Sequence, residues 1–306
     1  VTTKSPNPCV LPRQIRTSMT RACVVILGLA CEIAAVGASF RRTLESNNGM
    51  NERDWFVPQH HSAEIMQFIT GWQGEQSFSA FDAFARSSST QRVWEHYGYR
   101  AVRMDLHLGG NSHDLLSEEG FYVWLDHLMQ MHHGGILVAF PPSGMFIPLM
   151  RSLHRRNTMI YDIYGDRSSL TVRRANCILK NFVALLENIH TIRRLHIVIV
   201  QPFASLLFET PEYQHLRALL GLSIVSTWLG LFGHVGSKRV RVLTNLPGHT
   251  QLRRRMTDLN REMIRARWER FVHRSRYFQR QAESLPLGFC QRLFELWAVA
   301  LMLMHP

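Results

Sequence analysis

Cysteine is too sparse and too scattered in this chain to staple it. The five, Cys9, Cys23, Cys31, Cys177 and Cys290, are odd in number and include no C-x-x-C pair, so neither a disulfide framework nor a thiolate zinc site is expected. Histidine does not fill the gap. His60-His61 and His132-His133 are sequence neighbours, which point to different sides of a helix or strand, and no carboxylate or thiol completes a set at ligand spacing. They read as structural or surface residues, with no metal expected. Repeats and low-complexity blocks are missing too. Acid is in short supply: 23 Asp and Glu stand against 35 Lys and Arg, a formal charge of +12 over 306 residues. Such an excess favours partners that carry phosphate, through long-range attraction and counterion release, or else is spread over solvated faces and a targeting region.

The apolar share of 46% is enough to bury a substantial core, which excludes a disordered chain. Residues 1–50 differ from the rest. Val1 to Arg21 is basic, proline-bearing and free of acid, and Ala22 to Phe40 is apolar apart from Glu32. A targeting segment or membrane anchor, a buried helix and a flexible extension all fit this stretch. A charge near the middle would cost an inserted helix roughly 2–3 kcal/mol, and a membrane partner is expected only if residues 22–40 are retained. Leu296 to Met304 is apolar but too short to span.

From about residue 76 the hydrophobic period alternates. Strands are expected at Gln76 to Ala85, Tyr99 to Leu106, Gly135 to Phe140 and Leu195 to Val200, with further ones at Ile224 to Leu231 and Arg239 to Leu243. Between them lie helical stretches at Ser87 to Tyr97, Glu118 to His132, Val172 to His190 and Pro211 to Leu220. Parallel crossovers need helices to return the chain, so the expectation is an α/β fold. It has a mostly parallel sheet covered on both faces, with ligands beyond the carboxyl ends of the strands. The arginine-rich Thr250 to Ala282 reads as helical. The expected organisation is an extension over 1–50, a Rossmann-like domain over 51–250, and a helical part over 251–306 that returns to that domain.

Five segments in order carry a resemblance. Asp82-Ala83-Phe84-Ala85 is followed sixteen residues after Asp82 by Gly98-Tyr99. Then come Gly134 to Phe146 with Pro141-Pro142-Ser143, Leu195 to Pro202, Gly236 to Arg241, and Leu285 to Phe289. Together, over about residues 76–290, these resemble the S-adenosylmethionine-dependent DNA cytosine-5 methyltransferases. The resemblance implies a Rossmann-like methyltransferase fold and an S-adenosylmethionine site lined by Asp82, Phe84, Ala85, Asp105, Asp114 and Pro141. In that family the first turn cradles the methionine part, Asp105 matches the acid on the ribose hydroxyls, and Asp114 lies at the adenine position. Read by themselves, Asp105 ends a strand and Asp114 caps the helix beginning near Ser117.

The departures fall on chemistry. Arg86, Ser88 and Ser89 replace the turn glycines, Ser143 stands at the nucleophilic cysteine, and Val200 stands at the glutamate that holds and protonates the base. A hydroxyl needs a positioned base that a thiol can do without, and valine can neither hydrogen-bond nor transfer a proton. Arg239 and Arg241 match the family's Q-x-R-x-R strand. With Arg265 and Arg267 they are the candidate contacts to DNA or RNA, alongside the alternative that Leu252 to Gln281 is an amphipathic helix with a solvated arginine face. Three functions follow: a catalytically impaired methyltransferase-like protein that binds nucleic acid, an active enzyme with a target other than cytosine C5, and a membrane-associated interaction protein.

Overall fold

A computed structural model describes residues 55–84, 87–148, 154–156, 163–272 and 284–304. The expected extension and Ala85, Arg86 and residues 273–283 lie outside these. The architecture is α/β: a six-stranded mixed sheet flanked by helices.

The alternating segments become β1 (Phe78–Ala83), β2 (Ala101–Met104), β3 (Met131–Ala139), β4 (His196–Pro202), β5 (Ser223–Trp228) and β6 (Arg239–Thr244). Their order across the sheet is β2-β1-β3-β4-β6-β5. Four strands pair in parallel through crossovers that contain helices, namely α2 (Ser89–His96), α4 (Glu118–Met129) and α5 (Leu170–Arg193). A further helical connection, α6 (Pro211–Leu219), carries the chain past an empty place to β5. The link from Trp228 to Arg239 holds only the short helical turn Leu229–Phe232, too little for a crossover. β6 therefore doubles back and fills that place antiparallel to both neighbours.

Successive strand residues face opposite sides, and both sides are apolar. Phe81, Leu137, Ile197 and Ile199 face a layer made of α1 (Ser62–Gly71), α4, α5 and α6. Ala80, Ile136, Val138, Val198 and Val200 face α2 and α8 (Leu287–Met304). On that second side the Trp94 ring meets Phe294 at 5.2 Å and Trp297 at 5.6 Å, and the Trp297 indole N–H donates to the Gly134 carbonyl at 2.8 Å.

Several boundaries differ from expectation. α4 ends at Met129, not near His132, and β3 starts at Met131, where its register against β1 breaks between Phe78 and Ala80. Gly134, at φ 71°, supplies the left-handed residue that this bulge needs. The arginine-rich helix, α7 (Asp258–Val272), opens eight residues after Thr250, behind the turn His249–Leu252. A four-residue helix, α3 (Leu106–Gly109), follows β2. Among the described residues no helix is long and apolar enough to cross a membrane.

Candidate functional site

From β1 the chain steps outward to β2, then crosses back over β1 to β3 and β4 on its other side; in open α/β sheets ligands sit beyond the carboxyl ends of the strands at such a reversal, here between β1 and β3. β1 ends in a strained turn. Phe84 has φ 57°, a conformation costing a non-glycine residue about 1–3 kcal/mol. It is held there by its ring, which packs on Trp124 at 5.1 Å and Phe182 at 5.0 Å. The turn thus redirects the backbone between β1 and α2 while its side chain faces the core.

Asp82 points to the other side. Its carboxyl is buried, and burial pushes its pKa up to about 8 in spite of the Thr90 hydroxyl, Arg103 and the Gln91 N–H, while the Asp105 charge adds to the rise. The Thr90 hydroxyl also lies 3.7 Å from the Cys290 sulfur. Burial, then the Asp82 charge, raise that thiol's pKa as well. The group is a neutral clamp joining β1, the start of α2 and the start of α8.

Asp105 stands at the end of β2, one strand over. One carboxylate oxygen accepts the His107 N–H at 2.8 Å and so caps α3; its other oxygen has no partner among the described residues. His113 Nδ1 lies within reach of both the Asp105 N–H (3.3 Å) and its carbonyl (3.0 Å). Asp114 is already committed. It accepts the Leu116 N–H at 3.1 Å and pairs with Arg174 at 3.2 Å, both side chains largely buried. The cap of α4 is Ser117, which accepts from Gly120 N–H, so Asp114 braces α5 instead of capping α4.

The Pro-Pro loop leaves β3. Pro141 is buried, and its carbonyl accepts from Gln201 Nε2 at 2.8 Å, while Gln201 Oε1 accepts from the Ser205 hydroxyl at 2.9 Å. Gln201 thereby ties the end of β4 to the loop from a fully buried position. Ser143 is half-buried at the start of the turn Gly144–Phe146, and no base reaches its hydroxyl among the described residues. Val200 is fully buried in the α8-facing core.

The four arginines separate by environment. Arg241 donates to Glu209 at 2.7 Å and to the Ser205 carbonyl, with the Phe208 ring 5.4 Å away. Arg267 donates to the Gly230 and His234 carbonyls at 3.1 and 2.9 Å, anchoring α7 along a stripe with buried Ile264. Arg265 pairs with Glu269 one turn on, at 3.2 Å. These three are engaged within the fold. Arg239 differs. It is exposed and free of ion pairs among the described residues, and its guanidinium lies 3.5 Å from the Phe203 ring centre and 5.5 Å from Trp228. The Phe203 N–H bonds the Arg239 carbonyl at 3.0 Å, and Trp228 is Arg239's cross-strand neighbour. Beside it Lys238 Nζ lies 4.6 Å from the Phe140 ring.

Phe140, Phe203 and Trp228 were invisible as a group in the sequence. They end three different strands, and only the reversal of β6 brings Lys238 and Arg239 among them. Among the described residues no cluster of His, Cys, Asp or Glu could hold a metal ion. No known protein family matches the chain, and no curated protein matches it significantly.

Proposed function

We propose that this chain is a Rossmann-like, methyltransferase-like protein related to the DNA cytosine-5 methyltransferases, impaired in that chemistry, that binds DNA or RNA as a single strand. The observation that carries the reading is the cationic aromatic platform of Arg239 between Phe203 and Trp228, with Lys238 on Phe140, at the carboxyl edge. Cations there meet phosphates while the exposed Phe203 ring beside them stacks a base, and stacking requires bases that are not paired within a duplex. The sheet order, with its reversal between β1 and β3, is compatible with a Rossmann-like fold. Impairment is supported by Val200, buried in apolar surroundings, and by Ser143, whose hydroxyl has no base beside it among the described residues.

S-adenosylmethionine fits these residues only in part. Asp105, with one carboxylate oxygen unbonded among the described residues, suits a ribose hydroxyl, and the left-handed turn at Phe84 suits a close backbone approach. Asp82 and Asp114 are spent on the fold, and Ala85 lies outside the described residues. Anisotropy of a labelled oligonucleotide, titrated with protein at several salt concentrations, tests the reading. Single strands should bind more tightly than duplex. Arg239→Gln with Phe203→Ala should weaken binding about tenfold and lower the salt slope by about 1. Equal affinity for duplex, or an unchanged double variant, would reject it.

A second reading, an active enzyme with a target other than cytosine C5, is favoured by the Asp105 carboxylate and the Phe84 turn, because attack by an amine needs mainly proximity and orientation. Calorimetric titration with S-adenosylmethionine, with Asp105→Ala as control, separates the two. Binding lost in the control favours the enzyme, and no binding up to millimolar cofactor removes it.

A further inference from the structure

On the helical layer away from the platform, α1 and α4 lie side by side over the first core and leave an open trough of about 530 Å³ between them. Its floor is aromatic. Phe68 and Tyr122 meet at 5.4 Å with their planes tilted by 51°, and Trp72 closes one end. Trp72 is fixed in place, because its indole N–H donates to Asp126 at 2.9 Å and the Arg193 guanidinium stacks on its ring at 5.2 Å.

The rim is acidic. Glu64 comes from α1 and Glu118 from the first turn of α4, both exposed and neither in an ion pair among the described residues. Their charges converge on one point. Burial, then Glu118 and Glu64, all raise the pKa of the Tyr122 hydroxyl that lies between the two helices. In a chain of net charge +12, two carboxylates without ion pairs among the described residues, lining one aromatic trough, are set against the protein's own excess. Their field repels nucleic acid and attracts a cation, and an aromatic floor accepts the stem and the face of one.

We propose that this trough is a docking site for a basic peptide segment of a partner protein, an arginine or lysine entering between Glu64 and Glu118 with its stem on Phe68, Trp72 and Tyr122. Arg193 on Trp72 shows that a guanidinium already fits one face of this ring system. The site is independent of the platform and of the nucleic-acid reading.

Calorimetry of the full chain with a nona-arginine peptide at low salt tests the proposal. Saturable one-to-one binding is expected despite the protein's net positive charge. Glu64→Gln with Glu118→Gln, both exposed and without ion pairs to lose, should weaken it about tenfold, equivalent to ~1.4 kcal/mol. Phe68→Leu keeps the apolar volume but removes the π face, and should weaken it severalfold. Absence of saturable binding by the folded chain, or equal binding by the double glutamine variant, would overturn the proposal. So would a tenfold gain in affinity on replacing Arg13, Arg16 and Arg21 by glutamine in the full chain. That gain would mean that the chain's own basic segment, not a partner, is the occupant.

Discussion

Replacing Asp82 by asparagine should make this protein more stable at neutral pH, although it removes a buried, hydrogen-bonded carboxyl. In the folded state the group keeps its proton up to about pH 8, whereas the ordinary value is 3.8. The sign follows from where the proton is held. Below pH ~4 both states are protonated and nothing is lost. From there to about pH 8 the unfolded chain releases the proton and the folded one cannot, so the folded state loses about 1.4 kcal/mol per pH unit. Above pH 8 both are ionised and the loss stops growing. Between pH 5 and pH 8 the accumulated loss is roughly 3–4 kcal/mol. An asparagine side chain does not ionise, and its amide oxygen can still accept from the Thr90 hydroxyl and the Gln91 N–H. Urea denaturation of wild type and Asp82→Asn, followed by tryptophan fluorescence at pH 5, 6, 7 and 8, isolates the group from all others that titrate. The stability difference should widen in the variant's favour with pH. A difference that stays constant across this range would refute the reasoning and mean that Arg103 and the α2 N–H groups hold the carboxylate ionised.

Three further outcomes are expected. Asp114→Ala strands the largely buried Arg174 guanidinium without its counter-charge and should cost about 3 kcal/mol, read as a lower midpoint in chemical denaturation, with Asp114→Asn partly restoring it. At Gly165, φ is 71° and an added Cβ would sit 2.3 Å from the His154 carbonyl oxygen. Gly165→Ala should therefore cost about 2–3 kcal/mol, and an unchanged melting temperature would contradict the geometry. Trp297→Phe leaves the buried Gly134 carbonyl without its indole donor and should cost about 2–3 kcal/mol, with faster amide exchange along the start of β3 as a local readout.

Much of the architecture was legible because its signals are local. The runs GILVAF and LHIVIV read as buried strands and became β3 and β4. The proline opening Pro211–Leu219 marked a helix start. Two helices escaped, α1 and the four-residue α3. α1 is short and carries apolar residues on a narrow face, with only Ile65 and Ile69 buried. α8 falls within 251–306, read as helical, but it is apolar nearly all round, so no period marks its bounds. The site was less legible than the fold. Asp105 reads in sequence as a strand-end acid and is one. Asp82, Asp114, Arg241 and Arg267 read as ligand contacts, but their partners, Thr90, Arg174, Glu209 and the Gly230 carbonyl, come from other elements.

Sequence alone determined the alternation of strands and helices and the placing of acids at strand ends, because each depends on near neighbours along the chain. Only the tertiary structure decided which charges are free. Burial set the proton on Asp82, ion pairing took Arg241 and Asp114 out of play, and the reversal of β6 put Arg239 between two rings. Two helices far apart in sequence brought Glu64 and Glu118, without ion pairs among the described residues, to one aromatic floor. Desolvation and pairing act through space at a few ångströms, and residues that meet there need have no relation in the order of the chain.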